Sequence, residues 1–247
     1  MMKPLLMSAA AAALALIAGS VAAQPKDLSR PDSTFVPKGK PGNWQNAITR
    51  TARGHMVGDP QAKTKLIEFI SYTCPHCADF TAQGEPALEL TLLTSGKISL
   101  EVRPVIRNGV DLAVSLLAQC GNPADFKARH RALMLAQNDW LDKARAAPVS
   151  QQTLWQRADK AGRMNAVSAL GLTALLVQRG SSQAQLDACV SDDAAARKLL
   201  ENNAADAAEF RVPGTPSFVL DGKLLENVHS WQALYPVLNA KFTPAAG

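Results

Sequence analysis

The sequence predicts an α/β fold in which a block of helices interrupts a small sheet. Three observations lead there. A short apolar run rich in β-formers, Thr64–Ser71, leads into two cysteines three positions apart, Cys74 and Cys77. From Asp111 to Phe210 the chain is rich in Ala, Leu and Gln at helical spacing and has no strand signal. Strand character returns only at Thr215–Asn227, where Asp221-Gly222 between two apolar runs marks a hairpin.

The elements follow in order. Residues 1–23 carry one early charge, Lys3, then an Ala/Leu-rich stretch, then Val21-Ala22-Ala23; this is the pattern of a cleavable secretory signal peptide. Residues 24–42 hold four prolines and little apolar periodicity, and read as a flexible leader. Trp44–Met56 is expected to form a first strand, and Gly58–Lys63 a turn. Thr64–Ser71 should be a buried central strand. A helix should follow the cysteines and end at Gly96, kinked at Pro86, which lacks an N–H and crowds the preceding turn. Lys97–Ile106 alternates like a strand. The helical block is punctuated at Gly121-Asn122-Pro123, Ala147-Pro148, Gly162, Gly171 and Gly180, so four or five helices are expected. After the hairpin comes a last helix over Ser230–Leu238, bent or broken at Pro236.

Without the block the order is β-α-β…β-β-α, that of a thioredoxin fold. The expected architecture is therefore a thioredoxin-like fold with an inserted α-helical domain. Residues 43–109 and 211–247 would form its two parts, and 110–210 the insertion. Formal net charge is +5, but the lysines and arginines are scattered and form no stripe interleaved with aromatics. No nucleic-acid partner is inferred. The exported context implies an oxidising compartment, where disulfides persist.

The Cys74-Pro75-His76-Cys77 segment admits three readings: a redox pair, half of a metal site, or an inert staple. At a strand-to-helix junction the first cysteine meets the orphan N–H groups and the positive end of the helix dipole, which favour a thiolate. Pro75 suits the first helical turn, and the His76 imidazole, if charged, adds stabilisation. Cys74 is thus expected to be the exposed attacking sulfur with a depressed pKa, and Cys77 the buried resolving one. Stabilising the thiolate makes the disulfide a better oxidant. A structural zinc site needs two further ligands at suitable spacing; Cys120 and Cys189 are single and distant, and no metal or other cofactor is expected. Cys120 and Cys189, both in the helical block, read as a structural staple; the alternative is two buried thiols. His55, His130 and His229 read as surface or satisfied histidines. Trp140, Trp155 and Trp231 read as packing residues, one of which could border a substrate groove.

With these residues in hand, the chain resembles the DsbA family of periplasmic thiol-disulfide oxidoreductases. The resemblance rests on the exported context, "EFISYTCPHC", the helical insertion, and "RVPGTPSFVLDG" at Arg211–Gly222. It implies that Pro216 is a cis-proline facing the cysteines, with Thr215 extended beside them to pair with a substrate segment. It also implies that Glu68 matches an acidic residue assisting proton transfer at the buried cysteine; a carboxylate turned to solvent or paired with Lys65 is the alternative. Two departures stand out. Thr81 occupies the place of a second acidic residue, and threonine before the cis-proline is common in isomerase-type relatives. The implied function is oxidation of reduced exported proteins in the periplasm by a monomer that a membrane DsbB-type partner reoxidises. A disulfide isomerase or reductase, and a non-redox binding protein, are the competing functions.

Overall fold

The computed structural model describes residues 43–243; the expected signal peptide and leader lie outside the described residues. The elements are β1 (Ile48–Arg50), β2 (His55–Gly58), β3 (Thr64–Ile70), α1 (Pro75–Leu88), β4 (Ile98–Pro104), α2 (Gly109–Ala118), α3 (Phe126–Leu135), α4 (Gln137–Ala146), α5 (Val149–Gln156), α6 (Lys160–Ala169), α7 (Leu172–Val177), α8 (Gln183–Ser191), α9 (Asp193–Phe210), β5 (Ser217–Leu220), β6 (Lys223–Leu224) and α10 (Trp231–Phe242). They build one mixed six-stranded sheet in the order β1-β2-β4-β3-β5-β6, with β3 parallel to β4 and antiparallel to β5. The fold is thioredoxin-like with a helical insertion.

Several expectations need correction. Trp44–Met56 is not one strand: a single 3-10 turn at Trp44–Asn46 precedes the β1–β2 hairpin. The chain reverses because Thr51 Oγ1 accepts from Gly54 N at 2.8 Å. Gly54 is required there, since a Cβ would meet the Val102 carbonyl oxygen at 2.1 Å. The insertion holds eight helices rather than four or five. Short helices are separated by breaks that apolar periodicity does not register, such as the left-handed Gly171 before α7. α1 runs through Pro86, and a π-helical turn over Glu89–Leu93 carries it on towards Gly96, whose φ is +71°. α10 likewise continues past Pro236 to Phe242. In a packed helix, tertiary contacts offset the loss of one backbone hydrogen bond. Asp192 caps α9, accepting from the Ala194 and Ala195 amides.

Register decides which residues meet. Phe218, Glu68, Val102 and His55 are successive partners across β5, β3, β4 and β2, so they lie in one row on one sheet face. Phe218 packs on Phe80 of α1 at 4.8 Å, and His55 stacks on Phe126 of α3 at 4.1 Å, so this face is covered by α1 and α3. The opposite face presents Phe69 and Arg103 to Phe210 of α9.

Candidate active site

β3 delivers the chain to Cys74, which caps α1 with extended backbone while Pro75 opens the helix. Cys77 N and Ala78 N both donate to Cys74 O. Cys74 is only 4% exposed and Cys77 0%. The attacking sulfur is thus less open than expected, because the Thr215–Pro216 loop lies against it: Cys74 Sγ and Thr215 O are 3.1 Å apart. The Thr215–Pro216 peptide is cis.

The two sulfurs sit in opposite electrostatic environments. The Cys74 pKa is lowered to about 5. The largest cause is the Cys77 thiol donating to it; burial opposes, and the Thr215 hydroxyl and the Cys77 and His76 amides add to the lowering. The Thr215 carbonyl accepts from the Cys74 thiol, and the Thr215 hydroxyl is buried with no hydrogen-bond partner among the described residues. The His76 side chain is 77% exposed and lies 3.9 Å from Asp79, so His76 acts on Cys74 through its main-chain N–H rather than its imidazole. Burial pushes the Cys77 thiol well up, and the neighbouring Cys74 reinforces it. One sulfur is therefore an anion and a good leaving group, the other a buried thiol.

Two residues that sequence reasoning did not single out hold this loop. Asp111, fully buried in α2, accepts from Ser71 Oγ (2.9 Å), Thr73 N (2.9 Å), Thr73 Oγ1 (3.0 Å) and Arg107 N (3.2 Å). Burial raises its pKa, and the Ser71 hydrogen bond opposes that. Gln137, at the start of α4, donates from Nε2 to Tyr72 O (2.8 Å) and Cys74 O (2.9 Å). The insertion thus grips the backbone on both sides of Thr73. Asp111→Ala is expected to cost about 3 kcal/mol, because it strands these buried donors, with Asp111→Asn retaining part. Urea unfolding measures it, and a loss below about 1 kcal/mol would show the anchor to be dispensable.

Glu68 is 0% exposed, and neither carboxyl oxygen has a hydrogen-bond partner among the described residues. Lys65 does not pair with it; its ammonium donates to Pro60 O. Burial raises the Glu68 pKa well above the usual range, and Glu85 adds to it. His130 is buried, with Nε2 at 2.7 Å from Glu85 Oε1 and Nδ1 at 2.9 Å from Tyr72 OH. His55 is buried with both ring nitrogens unpartnered, so it is neither a surface nor a satisfied histidine. His229 Nδ1 sits 2.8 Å from Pro216 O. Cys120 and Cys189 form a disulfide in the insertion, with Cα atoms 5.6 Å apart. Among the described residues no cluster of three or more His, Cys, Asp or Glu could hold a metal, and no helix is long and apolar enough to cross a membrane. Beside Thr73 opens a groove of about 290 Å³ lined by Asn108, Val110, Leu141, Gln152 and Trp155. Trp140 and Trp155 are buried, and Trp231 packs edge-on against Phe80.

The pattern of the thioredoxin family matches residues 50–240. The chain belongs to the thioredoxin family. It superposes on a protein-disulfide isomerase of Novosphingobium aromaticivorans with a TM-score of 0.74 and 34% identity, over 77% of this chain and 98% of that one. Wolbachia pipientis α-DsbA1 shares the fold at a TM-score of 0.55 and 18% identity, over 75% and 88% of the two chains. A Rickettsia bellii relative named as a protein-disulfide oxidoreductase is 27% identical over 173 residues, 70% of this chain. The chain spans only 58% of that relative's length.

Proposed function

We propose that this protein is a periplasmic dithiol oxidase that introduces disulfides into exported proteins. The observation that carries the reading is the split between the sulfurs: Cys74 lowered to about 5 beside a Cys77 thiol pushed well up. A substrate thiolate attacks Cys74 Sγ, breaks the Cys74–Cys77 bond and forms a mixed disulfide, and Cys77 Sγ leaves with the electron pair. Glu68, whose proton burial retains, supplies the proton that makes Cys77 a thiol. A second substrate thiolate attacks the substrate sulfur of the mixed disulfide. Cys74 leaves as the stabilised thiolate, the substrate is oxidised and the enzyme pair is reduced. A membrane DsbB-type partner would then restore the disulfide. The Thr215 main chain beside Cys74 offers a substrate segment a strand to pair with.

A second reading, a disulfide isomerase or reductase, is favoured by Thr215 and by the similarity to the Novosphingobium isomerase. Equilibration against glutathione buffers decides between them. The expected potential of the Cys74–Cys77 couple is well above the roughly −270 mV typical of thioredoxin. A value at or below that figure would overturn the oxidase, and a stable dimer on a sizing column would favour the isomerase over the expected monomer.

A further inference from the structure

Resting on the reading of Thr215 as a strand for the substrate, we propose that His229 is a positioning residue for substrate binding. It holds the Pro216 carbonyl, and through it keeps the Thr215 main chain aimed at the extended segment around a substrate cysteine.

The need for such a residue follows from the sheet edge. β5 pairs with β6 through Val219–Leu224 and Leu220–Lys223, and Leu225 N then donates to Phe218 O at 2.8 Å. β6 ends at Leu224, and Asn227, with φ +58°, turns the chain away. Two residues before Phe218, Pro216 lies past the end of β6. There His229 Nδ1, 2.8 Å from Pro216 O, takes the place of a strand amide. A carbonyl only accepts, so Nδ1 carries the proton, and the bond forms whether the ring is neutral or charged.

The imidazole comes from well-held backbone. Val228 before it is buried in the core, and Ser230 after it caps α10, accepting from Ala233 N at 3.2 Å. Trp231, the first residue of α10, packs edge-on against Phe80 of α1, the helix that Cys74 caps. His229 thus ties the Thr215–Pro216 loop to the elements that carry the site. His229 itself is exposed, so its bond competes with water and adds little to stability. What the bond fixes is direction.

Three successive carbonyls of the loop have side-chain donors. Gly214 O accepts from Ser217 Oγ at 2.8 Å, Thr215 O from Cys74 Sγ, and Pro216 O from His229. The first bond closes within the turn itself. The second exists only while Cys74 is a thiol, because a disulfide or a thiolate has no proton to give. In the oxidised enzyme and the mixed disulfide, His229 is therefore the side chain outside the turn, among the described residues, that still holds one of these carbonyls. Thr215 O, released by Cys74, is then free to accept an N–H from the substrate. Holding the next carbonyl keeps that acceptor in place without the cost of ordering the loop at each encounter.

The test uses the oxidised full-length protein and a synthetic dithiol peptide. Its second-order rate of reducing Cys74–Cys77 is divided by that of dithiothreitol on the same protein. A second peptide carries methyl groups on the backbone nitrogens flanking each cysteine and so cannot donate there. The wild type should favour the parent peptide over the methylated one by about fivefold, the worth of one hydrogen bond. In His229→Ala the ratio for the parent peptide should fall by about the same factor. His229→Asn, whose amide nitrogen falls where Nδ1 sits, should keep most of the ratio. His229→Gln, whose amide nitrogen falls near Nε2, should lose it. General loosening of the fold would change the peptide and dithiothreitol rates together and leave the ratio alone. Should His229→Ala not fold, the Asn and Gln variants decide between them. Equal ratios in those two, or a wild-type ratio retained in His229→Ala, would overturn the role of His229 and leave the pairing at Thr215 standing. A wild type that does not distinguish the two peptides would overturn both. The oxidase reading stands or falls separately on the glutathione equilibrium.

Discussion

Cys74→Ser is expected to lower the rate of dithiol oxidation in a reduced unfolded protein by about 10³-fold or more, because the hydroxyl cannot form the mixed disulfide. Cys77→Ser should instead trap substrate on Cys74, visible as a mass increase reversed by reductant. The same chemistry predicts the pH behaviour of the wild type. With its pKa near 5, Cys74 should be alkylated by iodoacetamide with a midpoint near pH 5. The sign for stability is fixed by the direction of the shift. The folded pKa lies below the unfolded value of about 8.5, so the contribution to the reduced form is complete above that pH and is lost as pH falls through about 5. Between pH 7 and pH 4 the reduced form should lose about 3 kcal/mol relative to the oxidised form, which has no thiolate at this position. Denaturant curves of both forms at the two pH values measure it. A constant difference would mean that Cys74 is not an anion at neutral pH.

The second large effect lies away from the active site. The Cys120–Cys189 bond joins the end of α2 to α8 across a sequence separation of 69. Replacing both cysteines with alanine releases that loop in the unfolded chain and should cost about 4 kcal/mol on the chain-entropy estimate. The glutathione equilibrium of Cys74–Cys77 should not move, since the bond lies within the insertion. A stability loss below about 1 kcal/mol would show the disulfide to be incidental, and a shifted potential would show that the insertion transmits strain to the active site.

Much of this molecule was legible in residue order. The strand, Cys-Pro-His-Cys, helix junction announces itself because β-formers, paired cysteines and an N1 proline are local features. The Asp221-Gly222 turn does so too, with φ values of +48° and +84° that suit this pair. Within the insertion, periodicity indicated helix but not number, because helices as short as α7 leave too few turns to distinguish a break from a bend. Pro86 and Pro236 misled for a related reason: propensity describes an isolated helix, and α1 and α10 are held by their apolar faces.

The active-site support was less visible. Thr81 and Glu85, four and eight residues beyond Cys77, interrupt an apolar face with polar groups, and that stripe was the one sequence signal for a buried polar centre. Asp111 resembles an ordinary first-turn acid, and Gln137 resembles a surface amide. Nothing local says that either reaches the backbone around Thr73.

Sequence alone determined the close cysteine pair, its place at a helix start, and the thioredoxin-like order around an insertion, because each depends on residues close together in the chain. Tertiary structure alone decided that Thr215 covers Cys74 and that Asp111 and Gln137 clamp its loop. It also decided that His130 meets both Glu85 and Tyr72, and that Glu68 and His55 fall in one sheet row. Those contacts join residues many tens of positions apart, and they exist only once sheet register and helix packing bring the segments together.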